Sequence, residues 1–369
     1  MLQGGVAAAE LEQIDIFESG QDGYHTYRIP ALTLTRSGVL LAFAEGRKDS
    51  RDDIGNIDLL LRRSLDGGRT WLPMQVIWDE GENTCGNPTV VVDRTDGTVW
   101  LIANHNLGVQ PDQATLMAGR GQGDRTVWVM KSTDEGATWT HPVEITADVK
   151  QPDRGFYATG PGVGIQLRSG RLVIPSYHRP RLPENLTRSE ILNSSRAHVI
   201  YSDDSGKSWK VGGVSEAKTN ECQVVERADG SLILNMRSFH GLERRAIARS
   251  DDGGNSWGPV SFDPALVEPT CQASLIRHVW QGQDYLLFSN PASSVRRNMT
   301  VRLSKDGGAN WSHSRVVHAG PSAYSCLAVL SENNFACLYE RSISTDAPHP
   351  YEKITFARFD LAWLLGREG

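Results

Sequence analysis

Arg28 is the first side chain in the sequence whose chemistry needs an explanation. It lies in the stretch YRIPAL (27–32), whose other residues are typical of a buried strand with a proline at its edge. A guanidinium in apolar surroundings costs several kcal/mol unless an anion meets it. Either a carboxylate of the protein or an anionic ligand is therefore expected beside Arg28.

Two further arginines occupy comparable strand or strand-end positions, Arg237 in LNMRS and Arg296 in NPASSVRRNMTVR. A structural ion pair is the better explanation for any one of the three. Three converging guanidiniums would repel one another, however, and the fork of each one suits a planar carboxylate. For three equivalent positions we therefore favour a bound anionic ligand.

Carboxyl groups are concentrated in the loop EGRKDSRDDIGNID (45–58), which also contains two glycines. Asp53 is the candidate general acid, because a carboxyl on a loop above a pocket can protonate a leaving oxygen. Spacing alone does not exclude Asp49, Asp52 or Asp58. A charged, solvated loop without catalytic function is the alternative explanation.

A carboxylate and a phenol form a second candidate pair, Glu221 in TNECQVVE and Tyr324 in PSAYSCLAVL. A free tyrosine has a pKa near 10 and is a poor nucleophile, but a neighbouring carboxylate can accept its proton. Taken alone, Tyr324 would be read as a core aromatic residue. Glu340 in CLYER is expected to pair with one of the arginines and hold it in place.

The architecture that would position these residues is indicated by two internal repeats. The first is S-x-D-x-G-x-x-W, which occurs as SLDGGRTW (64–71), STDEGATW (132–139), SDDSGKSW (202–209), SDDGGNSW (250–257) and SKDGGANW (304–311). In each copy the aspartate can bond nearby backbone N–H groups, the glycine can adopt a positive φ, and the tryptophan can anchor a hairpin.

The second repeat is an apolar strand, a turn and a returning apolar strand, which occurs six times. The turns lie at Gly38, Gly97, Gly170, Gly230, Gly282 and Asn333, and the residues seven positions later are Glu45, Asn104, Tyr177, Arg237, Ser289 and Glu340. Six equivalent strands therefore deliver polar side chains at the same end. This pattern predicts an all-β fold, a six-bladed β-propeller of four-stranded antiparallel blades. Helical signals are confined to 183–192 and 361–369.

Composition restricts the domain organisation and the partners. No linker divides the 369 residues, so we expect an N-terminal extension (1–13) and a single domain (14–369). The net charge of −6 gives no reason to expect nucleic acid or an anionic membrane as a partner. No apolar run approaches about 20 residues, so membrane insertion is not expected.

The N-terminus has neither a basic segment nor a long apolar core and is not an intact signal peptide. A cytoplasmic protein and the mature part of an exported protein both fit this pattern.

The cysteines are five in number and dispersed, at positions 85, 222, 271, 326 and 337. None belongs to a C-x-x-C pair, and we predict buried thiols, with one bridge left open. The ten histidines show no metal-ligand spacing. We predict no transition metal and no cofactor.

These motifs together resemble the exo-α-sialidases of glycoside hydrolase family 33. YRIP, the repeated S-x-D-x-G-x-x-W boxes, NECQ, NMR, R-x-N-M-T-V-R, AYSCL and LYE follow in the family's order, over residues 14 to 359. The family places its boxes at hairpins away from the pocket, so the resemblance assigns them to stability. Asn310 of the fifth box, where the others have Thr or Ser, departs mildly from the pattern.

The resemblance also implies roles for individual residues. Arg28, Arg237 and Arg296 match the three arginines that grip the substrate carboxylate; R-x-N-M-T favours Arg296 over Arg297. The remaining matches are Asp53 as the acid and base, Tyr324 as the nucleophile, Glu221 as its partner, Arg47 as a contact to the C4 region of the sugar, Glu340 as the brace of the first arginine, and Tyr177 as an aromatic lining of the pocket.

The implied reaction follows from charge. A sialoside carries its carboxylate on the anomeric carbon, so a carboxylate nucleophile would meet like charge, and sialidases use tyrosine instead. Tyr324 would attack C2 while Glu221 accepts its proton and Asp53 protonates the aglycone oxygen. Water would then cleave the tyrosyl intermediate with retention. Sialylated oligosaccharides, glycoproteins or gangliosides are the implied substrates.

Two alternatives remain open. A non-catalytic glycan-binding propeller is disfavoured because Asp53, Tyr324 and Glu221 are all present. An intramolecular or trans-acting sialidase would share the fold and the nucleophile and differ in the acceptor.

Overall fold

The computed structural model describes residues 11–109, 113–119 and 125–366. In these ranges the protein is an all-β structure with four short helices. The strands are β1 (Glu12–Glu18), β2 (Thr26–Leu34), β3 (Leu40–Arg47), β4 (Ile57–Ser64), β5 (Gln75–Trp78), β6 (Thr84–Val92), β7 (Val99–Asn106), β8 (Thr126–Ser132), β9 (Val143–Glu144), β10 (Arg154–Thr159), β11 (Gly162–Val163), β12 (Ile165–Gln166), β13 (Leu172–Pro180), β14 (Arg196–Ser202), β15 (Lys210–Ala217), β16 (Thr219–Glu226), β17 (Leu232–Ser238), β18 (Arg244–Ser250), β19 (Ser261–Val267), β20 (Ser274–Trp280), β21 (Gln283–Pro291), β22 (Arg297–Ser304), β23 (His313–Ser331), β24 (Asn334–Arg341) and β25 (Lys353–Asp360). The helices are α1 (Gln113–Met117), α2 (Thr146–Val149), α3 (Arg188–Asn193) and α4 (Leu361–Leu365).

Within the described ranges the antiparallel ladders form groups of four strands that follow one another along the chain. The groups are β2–β3–β4–β5, β6–β7–β8–β9, β10–β13–β14–β15 and β16–β17–β18–β19, then β20–β21–β22 with the first half of β23, and the second half of β23 with β24–β25–β1. Strand β23 serves two groups because it pairs with β22 up to Pro321 and with β24 from Ser322 onward. In every group except the last, neighbouring strands follow one another along the chain as an antiparallel meander. In the last group β1, from the start of the described chain, completes the sheet beside β25.

The two ends of the described chain meet in the last group. Strand β1 pairs with β25 from Glu12, opposite Arg358, to Glu18, opposite Lys353. Residues 12 and 13 of the expected N-terminal extension therefore belong to this ladder. The division into 1–13 and 14–369 stays a prediction.

Bulges interrupt the first strand of several groups, a few residues from the start of the strand. The pairing shifts between Arg28 and Ala31 in β2 and between Gly86 and Thr89 in β6. Ile29 has φ 60°, which is costly for a β-branched residue. Its N–H donates to Glu340 Oε1 over 2.9 Å, so a buried carboxylate stabilises the strained backbone. Bulges of this kind re-aim the adjacent side chain.

The S-x-D-x-G-x-x-W boxes share one hydrogen-bond pattern. In the fourth box, Ser250 Oγ donates to Asp252 over 2.7 Å, and Asp252 accepts from the N–H and the hydroxyl of Ser256 over 2.9 and 2.6 Å. In the fifth box the side-chain amide of Asn310 donates to Asp306 over 2.8 Å, so the departure from Thr or Ser keeps the bond.

The box tryptophans pack between neighbouring groups of strands. Trp71 lies edge-on against Phe356 of β25, and Trp139 lies edge-on against Phe43 of β3. The boxes therefore join a tight turn to an aromatic contact between groups.

Acid is expected to destabilise the fold through these boxes. Hydrogen bonds from the residue four positions later lower the pKa of Asp66 and Asp204 to about 2. At Asp134 and Asp252, burial, which raises the pKa, is outweighed by the same bonds, and the pKa is again about 2. A carboxyl whose pKa is lowered on folding stabilises the folded state above its unfolded value near 3.8, and that contribution is lost as the pH falls toward 2.

Urea unfolding at intervals between about pH 5 and 2 measures this loss as a falling free energy of unfolding. An Asp252→Asn variant should show a shallower fall, because one of the titrating carboxyls is gone. An identical slope for the variant and the parent protein would contradict the assignment.

The cysteines are all buried and free, which confirms the prediction of buried thiols and excludes the bridge that was left open. In the described ranges, helices fall short of the length and apolar character that a membrane span requires.

Candidate active site

A cavity of about 360 Å³ brings together side chains from most of the strand groups. Of the residues singled out in the sequence, those that line it are Arg28, Arg47, Asp53, Tyr177, Glu221, Arg237, Arg296 and Tyr324. Glu340 lies directly behind Arg28, within hydrogen-bond distance. Residues as far apart in the chain as Arg28 and Tyr324 therefore share one site.

Tyr324 and Glu221 are in direct contact. The Tyr324 hydroxyl donates to Glu221 Oε1 over 2.5 Å, and Arg237 Nη1 donates to Glu221 Oε2 over 2.7 Å and to the phenol oxygen over 3.1 Å. Burial and the Glu221 charge raise the pKa of Tyr324 well above its ordinary value, against the opposing effect of Arg237, Arg296 and Arg28. The phenol is therefore protonated, with its proton directed at a carboxylate.

Glu340 joins the first arginine to the backbone of the tyrosine. It accepts from Arg28 Nε over 2.9 Å, from the N–H of Ile29 over 2.9 Å and from the N–H of Tyr324 over 3.0 Å. The carboxylate is fully buried. Burial by itself would lower the pKa of Arg28, but the Glu340 charge raises it well above its ordinary value. Glu340 thus fixes a guanidinium and the Tyr324 main chain together.

Arg296 reaches the same cavity by way of a residue that the sequence analysis missed. Its Nη1 donates to the hydroxyl of Tyr351 over 2.7 Å, and the Arg28 guanidinium lies 4.1 Å from the centre of the Tyr351 ring. Tyr351 therefore contacts two of the three arginines. It falls in a connection between strands and outside every repeat, so no sequence signal marked it. Arg297, the alternative to Arg296, is exposed at the start of β22.

Asp53 projects into the cavity from the loop after β3. Arg47 Nη1 lies 2.9 Å from Asp53 Oδ1, and Arg28 Nη1 lies 3.8 Å from it. The Asp53 side chain is 54% exposed, so it is accessible to a ligand. The partial loss of water around this half-exposed carboxyl raises its pKa, but the charges of Arg47 and Arg28 outweigh that effect and hold the pKa at about 2. Asp53 is therefore a carboxylate.

The three rival acids of the loop are placed elsewhere. Asp49 and Asp52 are exposed and do not line the cavity. Asp58 is fully buried, accepts from the Tyr24 hydroxyl over 2.6 Å and pairs with Lys48 over 3.1 Å. Its role is structural, which the loop sequence alone did not distinguish.

Glu45 is a further cavity carboxylate that the sequence analysis did not assign. Its Oε2 accepts from Arg47 Nη2 over 2.6 Å, and its Oε1 accepts from the N–H of Asn87 over 2.8 Å. A Cβ at position 86 would come within 2.4 Å of Glu45 Oε1, so Gly86 is needed for the close approach. Glu45 therefore fixes the guanidinium that contacts Asp53. The sixfold strand repeat had marked its position.

Another wall of the cavity is formed around β10 and β13. Tyr177 is buried there beside Phe156, with ring centres 5.8 Å apart. Burial, with the Glu221 charge, raises the pKa of Tyr177 to about 12. Arg179 and Arg125 line the same wall and were missed. The sequence could have indicated Arg179, because it lies two residues after Tyr177 on the same strand, and residues two apart on a strand share a face. No comparable sequence pattern indicated Arg125.

No group of three or more histidine, cysteine, aspartate or glutamate side chains in the described part of the chain could hold a metal ion. The arrangement instead offers a cationic pocket for an anion, a phenol beside a carboxylate, and a second carboxylate on an accessible loop.

Comparison with known proteins identifies a matching family model and several similar proteins. A model of the BNR repeat-like domain matches residues 38–337. A sialidase of Micromonospora viridifaciens is 37% identical over 95% of this chain, which spans 54% of that relative's length. An exo-alpha-sialidase of Aspergillus fumigatus is 30% identical, with 93% of this chain and 86% of the relative covered.

Among solved structures, the Hadza microbial sialidase Hz136 superposes with a TM-score of 0.83 and 32% identity, over 95% of this chain and 69% of that one.

Proposed function

Because this chain belongs to the exo-α-sialidase family with BNR repeat-like domains, we propose that it is a retaining exo-α-sialidase (EC 3.2.1.18). It hydrolyses terminal α-linked sialic acids of oligosaccharides, glycoproteins or gangliosides. The contact between Tyr324 and Glu221, in a cavity that three arginines share, is the observation that carries this proposal.

The substrate carboxylate binds between Arg28, Arg237 and Arg296. Arg28 is oriented by Glu340, and Arg296 by the Tyr351 hydroxyl. The Nε of Arg237 is buried and has no hydrogen-bond partner among the described residues, so it has a donor to offer. Each charge-assisted hydrogen bond to the carboxylate contributes about 1.5–3 kcal/mol.

Tyr324 is the nucleophile. As its oxygen forms a bond to C2 of the sugar, its proton passes to Glu221 Oε1, with which it is already hydrogen bonded. The phenol is neutral before attack, so it approaches the anomeric carbon and its carboxylate without like-charge repulsion. Arg237, which donates to both groups, stabilises negative charge on whichever oxygen carries it.

Asp53 protonates the aglycone oxygen and then, as a base, activates the water that cleaves the tyrosyl intermediate. Before the sialoside binds, its pKa of about 2 leaves it ionised. A bound carboxylate shares the charge of Arg28, and closure of the site by the sugar removes water. Both effects raise the pKa of Asp53 toward the range that a general acid needs.

This mechanism predicts the pH dependence of turnover. With sialyllactose, whose leaving group needs protonation, kcat should fall as the pH rises through the pKa of Asp53 in the complex, and that limb should lie well above pH 2. Measurement of kcat between about pH 3 and 8 locates the limb. In Asp53→Asn the limb should disappear, and its persistence there would remove Asp53 from the acid role.

Tyr351→Phe tests whether the Tyr351 hydroxyl positions the arginine cluster, which consists of Arg28, Arg237 and Arg296. Loss of the hydroxyl that holds Arg296 should raise KM for a sialoside by about 2–10-fold, the value of one hydrogen bond, with a smaller change in kcat. Steady-state kinetics beside Tyr201→Phe, a remote control on β14, measures the effect. An unchanged KM would show that Tyr351 does not position the cluster.

The fold that we propose for residues 14–369 is a single six-bladed β-propeller, with each group of four strands as a blade. Contacts between consecutive groups support it. β2 contacts β6, β6 contacts β10, β10 pairs with β13 in the same group, β13 contacts β16, β16 contacts β20, β20 contacts β23, and β23 contacts β2. A closed circuit of contacts is what a radial arrangement of blades around one axis requires.

Release of fluorescence from a 4-methylumbelliferyl α-sialoside tests the function. Absence of hydrolysis over a broad pH range would overturn it in favour of a glycan-binding propeller. Adding lactose and analysing the products distinguishes hydrolysis, which gives free sialic acid, from transfer, which gives sialyllactose.

A further inference from the structure

Two arginines of the cavity wall are not used by the mechanism above. Arg179 lies at the end of β13 and Arg125 immediately precedes β8, and their side chains are almost fully buried. Both line the cavity, and both guanidiniums lie over the ring of Phe156, at 4.5 and 5.1 Å from its centre. We call Arg125 and Arg179 the accessory pair.

Among the described residues, the hydrogen-bond partners of the accessory pair are neutral groups. Arg179 Nε donates to Ser195 Oγ over 2.8 Å, and Arg125 Nη2 donates to Asn87 Oδ1 over 2.7 Å. The Nε of Arg125 is buried and has no hydrogen-bond partner among the residues that the structure describes. Within the described ranges neither guanidinium forms a salt bridge with a carboxylate.

Three other arginines of this cavity, Arg28, Arg47 and Arg237, are each neutralised by a carboxylate of the protein. Glu340 lies 2.9 Å from Arg28, Glu45 lies 2.6 Å from Arg47, and Glu221 pairs with Arg237 in the same way. Burial lowers the pKa of both members of the accessory pair, that of Arg179 to about 10, which reflects the cost of holding these charges away from water. A buried charge without a counter-ion is costly, and groups with such perturbed pKa values cluster at functional sites.

The charge balance of the cavity points the same way. Among the described residues, seven guanidiniums and three carboxylates line it, and a fourth carboxylate, Glu340, lies behind Arg28. The single carboxylate of a sialic acid is bound by Arg28, Arg237 and Arg296. It leaves the accessory pair without an anion.

We propose that Arg125 and Arg179 form an accessory subsite for a second oxyanion on the substrate. The proposal rests on the sialidase function, because the arginine cluster must hold the first carboxylate. The second oxyanion is either an ester sulfate on the bound sugar or the carboxylate of the next sugar in a disialoside. In both cases the planar forks donate charge-assisted hydrogen bonds to it.

Paired substrates test the subsite. The first arm compares kcat/KM for a 4-methylumbelliferyl α-sialoside with and without an ester sulfate on the sugar's side chain. The second arm compares α2,8-disialyllactose with 3′-sialyllactose. We expect the dianionic member of one pair to be preferred by about 10-fold or more, as one or two charge-assisted hydrogen bonds would give. The arm that shows the preference identifies the source of the anion.

Variants of Arg125 and Arg179 test whether the accessory pair causes the preference for the dianionic substrate. Arg179→Gln and, independently, Arg125→Gln should bring the ratio of dianion to monoanion close to 1. Arg179→Lys, which keeps the charge and loses the fork, should give an intermediate ratio. The matched control is Arg171→Gln, a half-buried arginine outside the cavity that pairs with Asp203 just before the other end of β13, and it should keep the parent ratio. Thermal melting of each variant verifies folding.

Binding gives a readout that does not depend on turnover. Calorimetry with a sialic-acid glycal and its sulfated counterpart, and with the two lactosides, yields the same ratios as affinities. A parent protein without preference for the dianion in either arm would overturn the subsite, as would an undiminished preference in both Gln variants. Hydrolysis of the monoanionic sialoside alongside either result would leave the sialidase function standing.

Discussion

Replacing Tyr324 with phenylalanine should lower kcat by about 10³-fold or more, because the reaction then lacks its nucleophile. The substitution removes one oxygen and keeps the buried ring, which the Arg28 and Arg296 guanidiniums face at 5.0 and 5.5 Å. The three arginines that bind the carboxylate remain, and affinity for a sialic-acid glycal should stay within several-fold of the parent value. Steady-state kinetics and inhibition by the glycal measure the two effects separately.

Two controls make this result specific. Tyr201→Phe removes a phenol far from the cavity and should leave turnover unchanged. Glu221→Gln keeps the shape of the pair but provides no carboxylate to accept the phenol proton, and it should also lose most of kcat. Unchanged turnover in Tyr324→Phe would remove Tyr324 from the nucleophilic role and the tyrosyl intermediate with it.

Arg237→Ala should weaken substrate capture, with kcat/KM lower by about 10²–10³-fold and most of the change in KM. The substrate loses one guanidinium and its charge-assisted hydrogen bonds, each about 1.5–3 kcal/mol. A smaller decrease in kcat is expected, because Arg237 also donates to Glu221 and to the Tyr324 hydroxyl. Initial rates over a range of sialoside concentrations separate KM from kcat.

Arg237→Lys is the matched variant. It retains the positive charge and loses the planar fork, so its kcat/KM should lie between those of the alanine variant and the parent. If KM and kcat of Arg237→Ala both equal the parent values, the three arginines do not form the carboxylate site. Equal losses in the lysine and alanine variants would show that fork geometry, rather than charge, controls binding.

Much of the candidate site could be predicted from residue types and local order. Arg28 was conspicuous because a guanidinium inside an apolar strand needs an anion, and Glu45, Tyr177, Arg237 and Glu340 fall at one position of the strand repeat. The family resemblance favours Asp53 over Asp49 and Asp52 as the acid. The spacing of the loop residues does not distinguish the three. The structure places Asp53 at the cavity and the other two outside it.

Other parts of the site had no local signature. Tyr351 contacts Arg296 from 55 positions away, and Arg28 meets Glu340 across 312 positions. Arg125 stands between an undescribed stretch and β8, where nothing in the neighbouring sequence distinguishes it from a surface arginine. The accessory pair can be recognised only once it is known that both arginines are buried and that no carboxylate in the described ranges forms a salt bridge with either of them.

The sequence by itself determined the repeating hairpins, because strand alternation and the turn chemistry of serine, aspartate and glycine act over a few residues. It also determined which residue types stand at the ends of the strands. Only the tertiary structure decided which of them share a cavity and which charges the protein neutralises. Those outcomes depend on distances and burial between strands hundreds of residues apart, and both the strength of a charge interaction and its cost follow from these two quantities.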